Sequence, residues 1–415
     1  MYQLIATFGK MRPVTAFTNP PQKIITKTIW ILSFVSLFTD LASEMLYPVM
    51  PLFLKHIGYT AIFIGVLEGI AEAVAGLSKS YFGKLSDSSG KRLPFVQFGY
   101  AFSAISKPML AIFVYPWWIF LSRTIDRLGK GIRTGARDAM LSDAGTKETK
   151  ARIFGFHRSM DTLGAVFGPA VALVYLYFYP EDYTSLFLIA FLPGLLTIVL
   201  TMQLRENKGT VSTEPAKKRV SLFAFASYWK SSPAQYKRLV AGLLLFALFN
   251  SSDIFLLLKM KESGLGDTAV IGIYIFYNLV YALLAYPIGI IADRIGLKRI
   301  FIAGLVVFAG VYIGFAFNNN VTVFLLLFLL YGIYAAATEG ISKAWISNMV
   351  SKNETATAIG TYSGFQSICA LIASSLCGLL WFHFGSMFTF LLTAGITVIV
   401  IIYLYFSERT TTVIS

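Results

Sequence analysis

Apolar residues fill this chain in long blocks, parted by short polar runs that carry glycine and charge. A helix that crosses a bilayer needs about 20 mostly apolar residues. Read with that window, the pattern predicts helices over 29–54, 60–82, 93–114, 117–141, 152–178, 183–204, 238–259, 268–290, 299–317, 321–349, 354–379 and 385–407. A polar, basic stretch at 205–237, holding Pro215, Lys217, Lys218 and Arg219, separates six of these from the other six. The expected organisation is a tail at 1–27, a six-helix bundle at 28–204, a linker at 205–237, a second six-helix bundle at 238–407 and a tail at 408–415. The fold class is then an all-α polytopic membrane protein of twelve transmembrane helices in two bundles.

Composition supports a lipid-facing surface. Of 415 residues 56% are hydrophobic and only 13% charged, against about 25% charged in soluble domains. Leu4 to Phe8 is too short for the apolar core of a cleaved signal, and Pro13, Pro20 and Pro21 break the stretch after it, so the first helix is expected to be retained. A net charge of +14 would suggest a polyanion partner in a soluble protein. Here the placement of the charge excludes nucleic acid. Lys10, Arg12, Lys23, Lys27, Lys84, Lys91, Arg92, Lys147, Lys150, Arg152, the linker, Arg294, Lys298, Arg299, Lys352 and Arg409 all fall on one predicted side, and only Lys55, Lys259 and Lys261 on the other. Basic loops stay cytoplasmic, so both termini are expected there, in a bacterial inner membrane. Tyr115, Trp117 and Trp118 suit an outer interfacial belt, and Trp381 with His383 is expected at the opposite end. Cys369 and Cys377, eight apart in one predicted helix, offer neither a disulfide framework nor a metal-ligand pattern and read as packing residues.

The two halves echo each other. Gly83-Lys-Leu-Ser-Asp87-Ser-Ser-Gly90-Lys-Arg92 comes after the second predicted helix, and Gly289-Ile-Ile-Ala-Asp293-Arg-Ile-Gly296-Leu-Lys-Arg299 after the eighth. Lys130-Gly-Ile-Arg133 in the fourth pairs with Glu339-Gly-Ile-Ser342 in the tenth. Parallel six-helix repeats are one of the known transporter plans. The G-x-x-x-D-x-x-G-[K/R]-[K/R] spacing, in two copies at corresponding loops, resembles the loop signature of the major facilitator superfamily. Arg127-Leu-Gly-Lys-Gly131 resembles its second signature, departing where Arg133 replaces a glycine. Gly164-Ala-Val-Phe-Gly168-Pro169 matches part of the antiporter signature, whose next glycine pair is replaced by Val171-Ala-Leu. Ser43-Glu-Met-Leu-Tyr-Pro, Asp126-Arg-Leu-Gly-Lys-Gly-Ile-Arg133 and Gly155-Phe-His-Arg-Ser-Met-Asp161 look like bacterial facilitators often called efflux proteins.

That resemblance covers about residues 28–407 and implies a central site between two bundles that rock to alternate access. It implies that Asp87 faces the N-terminus of the eleventh helix across the bundle interface, where a carboxylate is favourable by a few tenths to ~1 kcal/mol. Arg92 can pair with Asp138 or Asp143. Gly83, Asp87, Gly90, Arg92, Asp138, Gly289, Asp293 and Gly296 are thus the expected conformational-switch set.

Charges inside the predicted helices carry the chemistry. Each costs roughly 2.5–3.5 kcal/mol at a helix centre and therefore implies a partner or a function. Asp40 and Glu44 lie four apart on one face, as do Glu68 and Glu72. Lys107 precedes Pro108; Arg123, Asp126, Arg127, Lys130 and Arg133 crowd the fourth helix, with Arg123, Arg127 and Lys130 on one stripe; His157, Arg158 and Asp161 fall in the fifth. Two readings stay open. The ions pair as structural glue, Glu68 or Glu72 with Arg123 or Lys130 and Asp40 or Glu44 with Arg127. Alternatively, a carboxylate gains a proton when desolvated and loses it when an arginine approaches. Asp40, Glu44, Glu68 and Glu72 are the proton-coupling candidates. The second half has Asp253, then Glu339 and Lys343 as an expected local pair, with Asn250, Tyr274, Tyr277, Asn278, Tyr281, Tyr331, Tyr334, Tyr362 and Gln366 suited to solute contact.

The function expected is secondary active transport of a small organic solute, anionic or zwitterionic because guanidinium groups match carboxylate and phosphate, coupled to protons and leaning to efflux. The alternatives are transport of a divalent metal or metal chelate on Asp40, Glu44, His157 and Asp161, or a non-transporting receptor or scaffold. No Walker-type glycine cradle, nucleophile elbow or H-E-x-x-H string suggests an enzyme. Expected partners are lipid, solute and protons, with no cofactor, no resident metal and a monomeric state.

Overall fold

The computed structural model describes residues 24–47, 49–59, 61–206, 224–251 and 253–407; for a few helical residues, Glu68 and Glu72 among them, only the backbone is described. Residues 1–23 and 408–415 and the linker core 207–223 lie outside the described residues. The elements are α1 (Lys27–Leu46), α2 (Met50–His56), α3 (Ala61–Ser89), α4 (Leu93–Ile112), α5 (Pro116–Asp143), α6 (Lys150–Phe178), α7 (Tyr183–Thr201), α8 (Ala224–Ser231), α9 (Ala234–Phe249), α10 (Ile254–Glu262), α11 (Asp267–Ile295), α12 (Leu297–Phe317), α13 (Val321–Asn348) and α14 (Thr355–Phe406).

Helix starts obey capping chemistry. The Thr26 side chain accepts from Ile29 N, Asp182 from Ser185 N (3.1 Å) and Asn320 from Thr322 N (2.8 Å). Pro116 opens α5, where its missing N–H costs nothing. The predicted first and seventh helices are each interrupted: α1 ends at Leu46 and α2 begins at Met50, and α9 ends at Phe249 and α10 begins at Ile254. The last two predicted helices form one element, α14, bent at Gly385, whose φ of 81° is open to glycine. Counting α1–α2 and α9–α10 as single interrupted segments, α14 as two, and leaving out the short α8 recovers the twelve predicted segments.

Eight of the described helical segments are long and apolar enough to cross a membrane by length and composition. α5 is too charged to meet that standard alone. Its ions are tolerable because the helix is packed on α3, α4 and α14. Tyr177, Phe178, Leu192 and Val174 are exposed apolar side chains on α6 and α7, a surface suited to lipid.

α1, α3, α4, α5, α6 and α7 pack among themselves, as do α9, α11, α12, α13 and α14. The two sets meet along α3 against α14 and α6 against α11, through small residues that let helix backbones approach. A Cβ at Gly83 would stand 2.5 Å from Ala356 O, and one at Gly289 would stand 2.6 Å from Ala151 O. These approaches lie toward the ends of the helices that face the linker. Trp381 corrects an expectation: its indole N–H donates to Glu262 (2.8 Å) at the end of α10, on the face away from the linker and the same face as Trp117. Helix parity requires this, since the turn at 385 and the turn before Pro116 each come after an odd-numbered crossing.

Candidate functional site

The seam between the halves is closed on the linker side by carboxylates seated on helix N-termini. Asp87 Oδ2 accepts from Thr357 N (2.6 Å) and Thr357 Oγ1 (2.7 Å) on the first turn of α14. In the other half Asp293 accepts from Ala151 N (2.9 Å), Arg152 N (3.1 Å) and Arg152 Nε (2.6 Å) on the first turn of α6. Backbone N–H groups there are unsatisfied within their helix and carry partial positive charge, so a carboxylate satisfies both needs. Gly90 (φ 69°) and Gly296 (φ 112°) turn the chain just after each carboxylate, in backbone conformations that a Cβ resists.

Arg92 binds this closure together. It lies 3.6 Å from Asp87 and 3.3 Å from Asp143, and donates to Lys352 O (2.7 Å) of the other half. Of the two carboxylates expected for it, Asp143 is the partner and Asp138 is engaged elsewhere. Glu206, at the start of the linker, accepts from Arg92 N (2.8 Å) and Leu93 N (3.0 Å) and so caps α4. Lys150 donates to Ser347 O (2.9 Å) and Asn348 to Lys147 O (3.2 Å).

The tight seam yields a prediction. Gly83→Val is expected to clash with the backbone of Ala356 and disfavour the sealed linker face. A penalty of even ~1.4 kcal/mol shifts the population about tenfold. A cysteine introduced at buried Ser342, in a background lacking Cys369 and Cys377, should then be labelled faster from the linker side. An unchanged labelling rate would show that the seam tolerates the methyl groups.

One helical turn deeper, two ion pairs cross between the halves. Lys343 Nζ sits 2.7 Å from Asp138 Oδ2, and Arg158 Nη2 donates to Glu339 Oε2 (2.7 Å). This corrects the expected local Glu339–Lys343 pair. Asp138 and Arg158 are held inside the bundle, and a local pair on α13 would leave them without their cross-half partners. Arg158 also holds Asp161 (2.6 Å), and Arg137 holds Asp138 (2.9 Å) and reaches Ser36 Oγ (3.4 Å). Ser36 Oγ donates to Asp161 Oδ1. Asp161 is thus taken by Arg158 and Ser36, while His157 Nε2 is buried without a hydrogen-bond partner among the described residues.

The chain of polar groups leads to Asp40. Asp40 on α1 lies near Asp161 on α6, for Ser36, one turn before it on α1, donates to Asp161. A Cβ added at Gly164 would meet Asp40 Cβ at 3.0 Å, which places the aspartate on the α6-facing side of α1. Glu44, one turn on, feels Lys130 first and Arg127 next. Lys130 is exposed and acts on both Asp40 and Glu44.

The other basic residues have different roles from the one expected. Lys107 is buried and paired with Asp126 (2.7 Å), with Ser43 Oγ 3.3 Å away. Arg133 is buried, donating to Ser103 Oγ (2.5 Å) with its guanidinium 4.6 Å from the Tyr100 ring centre. Arg123 is buried as well, so the stripe Arg123–Arg127–Lys130 does not face one space as a unit. Helix crowding explains it: α4 and α5 pack closely at Gly99 and Gly129, drawing the adjacent cations into the interface. The side chains of Glu68 and Glu72 lie outside the described residues.

In the second half Asn250, Tyr334, Glu339, Tyr362 and Gln366 line one small cavity between α9, α12, α13 and α14. Tyr277 and Tyr281 are buried and stack along α11, while Asn278 donates to Tyr274 O (3.0 Å) within its own helix. Asp253 accepts from Tyr331 Oη (2.6 Å). Tyr274 lies within electrostatic reach of both Glu44 and Asp253, so the sites of the two halves face each other.

Sequence reasoning missed Ser36, Arg137 and the capping Glu206. The run Arg133-Thr-Gly-Ala-Arg137-Asp138 carried the signal, because charge continues there past the midpoint of a membrane helix. The partners could not be read, since they come from α1 and α13.

Comparison with known proteins agrees with this architecture. The family model of the Major Facilitator Superfamily matches residues 32–278 and 255–413. An uncharacterized MFS-type transporter of Methanocaldococcus jannaschii is 31% identical over 369 residues, covering 88% of this chain and 90% of that protein. Among solved structures, the human organic anion transporter MFSD10 (TETRAN) superposes with a TM-score of 0.71 at 16% identity, over 93% of this chain and all of its own. FucP in the outward conformation superposes with a TM-score of 0.69 at 12% identity, over 93% of this chain and all of its own. With the family model spanning nearly the whole chain and the paired loop signatures seated on opposing helix N-termini, this protein is a member of the major facilitator superfamily, a membrane transporter built from apolar helices.

Proposed function

We propose that the chain is a proton-coupled secondary transporter of a small anionic or zwitterionic organic solute in the plasma (inner) membrane, with export as the working direction. The observation that carries this reading is Asp40 beside Asp161, with exposed Lys130 shared between Asp40 and Glu44. Two carboxyl groups in contact cannot both ionise readily, so the pair holds one proton between them. Asp161 is also held by Arg158, which spans to Glu339 in the other half. Loss of the shared proton changes the charge beside Arg158, which holds Asp161 and also closes the seam through Glu339. Proton release and seam opening thereby draw on the same side chains.

The linker side is read as cytoplasmic from its lysines and arginines. The closed seam then corresponds to a state open to the outside. Lys130 is the cation best placed to meet a solute carboxylate or phosphate, and the amide and phenol groups of Asn250, Gln366 and Tyr362 would meet its neutral part. The glycine–proline string of α6, Gly164 to Pro169, matches only part of the antiporter signature, Val171-Ala-Leu replacing its next glycine pair, so export is a lean.

Counterflow in proteoliposomes tests the solute class. A panel of organic anions, zwitterions and lipophilic cations should show exchange of the first two only, with Lys130→Ala raising the solute KM about tenfold, the worth of one charge-assisted hydrogen bond at ~1.5 kcal/mol. Exchange of lipophilic cations alone, unchanged in Lys130→Ala, would overturn the reading.

A further inference from the structure

The interruption between α9 and α10 gathers several buried oxygen atoms. α9 ends at Phe249 and α10 begins at Ile254. About 16 helical residues precede the break, so it lies ~24 Å from the linker end of α9. A helix terminus leaves its last carbonyls without partners in the same helix. Beside them Asn250 Oδ1, Ser251 Oγ and Tyr312 Oη are buried and, among the described residues, meet no partner at full hydrogen-bond geometry. Ser251 and Tyr312 are near neighbours. The Asn250 amide nitrogen donates to Tyr334 Oη (3.2 Å), which fixes the rotamer and turns Oδ1 away from that partner.

Asp253 stands at the N-cap of α10, where an aspartate ordinarily accepts from its own helix. This one makes no such bond and instead accepts from Tyr331 Oη (2.6 Å). The charged side chain acting on it among the described residues is Glu339, another carboxylate. A carboxylate at membrane depth requires a compensating charge, and the groups around it on α11, α12 and α13 are the phenols of Tyr277, Tyr312 and Tyr331.

We propose that the α9–α10 break is a sodium-binding site, with Asp253 as its anionic ligand and Asn250 Oδ1, Ser251 Oγ and the final carbonyls of α9 as neutral ligands. Interrupted helices place ions in this way in other transporters, through freed carbonyls and half-helix ends. A proton on Asp253 would neutralise the carboxylate but leave the neighbouring acceptor oxygens orphaned. A sodium ion satisfies several at once. The set contains one carboxylate and no histidine or thiolate, so it is poorly suited to transition metals.

The test uses purified full-length protein in detergent and does not depend on transport, so it stands apart from the proton-coupling reading. Thermal unfolding is monitored while NaCl replaces KCl or choline chloride at constant ionic strength. Wild type should gain Tm with sodium, saturably, and Asp253→Asn should give no response. Ser251→Ala, which removes one neutral ligand and leaves the carboxylate, should shift the half-saturating sodium concentration upward about fivefold; it carries the test if Asp253→Asn fails to fold. Equal responses to sodium, potassium and choline would overturn the proposal. So would an undiminished sodium response in both variants, or infrared difference spectra assigning a protonated carboxyl to Asp253 in sodium buffer at neutral pH.

Discussion

Asp40→Asn is expected to abolish accumulation driven by a proton gradient while leaving solute exchange intact. Asparagine keeps the size of the side chain and can still hydrogen-bond Asp161, but it cannot lose a proton. With one proton per solute, each pH unit across the membrane supports about tenfold accumulation, or 1.36 kcal/mol. The variant should reach only equal concentrations on both sides at any imposed gradient. Proteoliposome uptake against a pH gradient, beside counterflow at equal pH, separates the two abilities. Glu44→Gln should retain the gradient response, because Glu44 has Lys130 and Arg127 near it and is not the residue set beside Asp161. If both variants lose exchange along with accumulation, the carboxylates are structural partners and the coupling reading fails.

Asp138→Ala is the second large effect, and it should emerge as lost stability. Asp138 is almost wholly buried and neutralises Arg137 on its own helix together with Lys343 from the other half. Removing it leaves two cations buried without their shared carboxylate. Breaking such a pair costs about 3–5 kcal/mol, a large part of the margin of most proteins. Thermal unfolding in detergent should show a steep loss of Tm or of folded yield. Lys343→Met should behave differently. Asp138 keeps Arg137, so stability should fall far less, while the cross-half tie is lost and the linker face opens more readily. Asp138→Lys combined with Lys343→Asp should recover much of what Asp138→Lys alone loses. A double variant no better than the single one would show that the two side chains do not act as a pair.

The range of each interaction decides how much of this was legible beforehand. The crossings were readable because a membrane helix satisfies its own backbone and announces itself by apolar length alone. The paired loops were readable for a similar reason: Gly90 and Gly296 are demanded by local φ, and the carboxylates keep a fixed spacing from them. The conspicuous charges were also found, including Asp40, Glu44, Lys130, Arg158, Asp161 and Glu339. Their pairing was misjudged where spacing along one helix was used as a guide. Glu339 and Lys343 are four apart, which permits a local contact worth a few tenths of a kcal/mol. Each goes instead to a buried ion on the facing half, where leaving a partner unpaired costs several times more.

The sequence by itself therefore determined the helical membrane fold, the two echoing loop strings and the inventory of charges within the helices. Tertiary structure alone decided which charges pair and which helix supplies each partner. It buried Arg133 against Tyr100, paired Lys107 with Asp126, brought Asp40 against Asp161 and tied Asp138 to Lys343 across the seam. It also showed the α9–α10 break, which hydropathy passes over because the apolar block runs on through it. The physical reason is common to all of these. Hydrophobic length and turn geometry are properties of neighbouring residues, whereas the compensation of a buried charge depends on whichever helix packs against it.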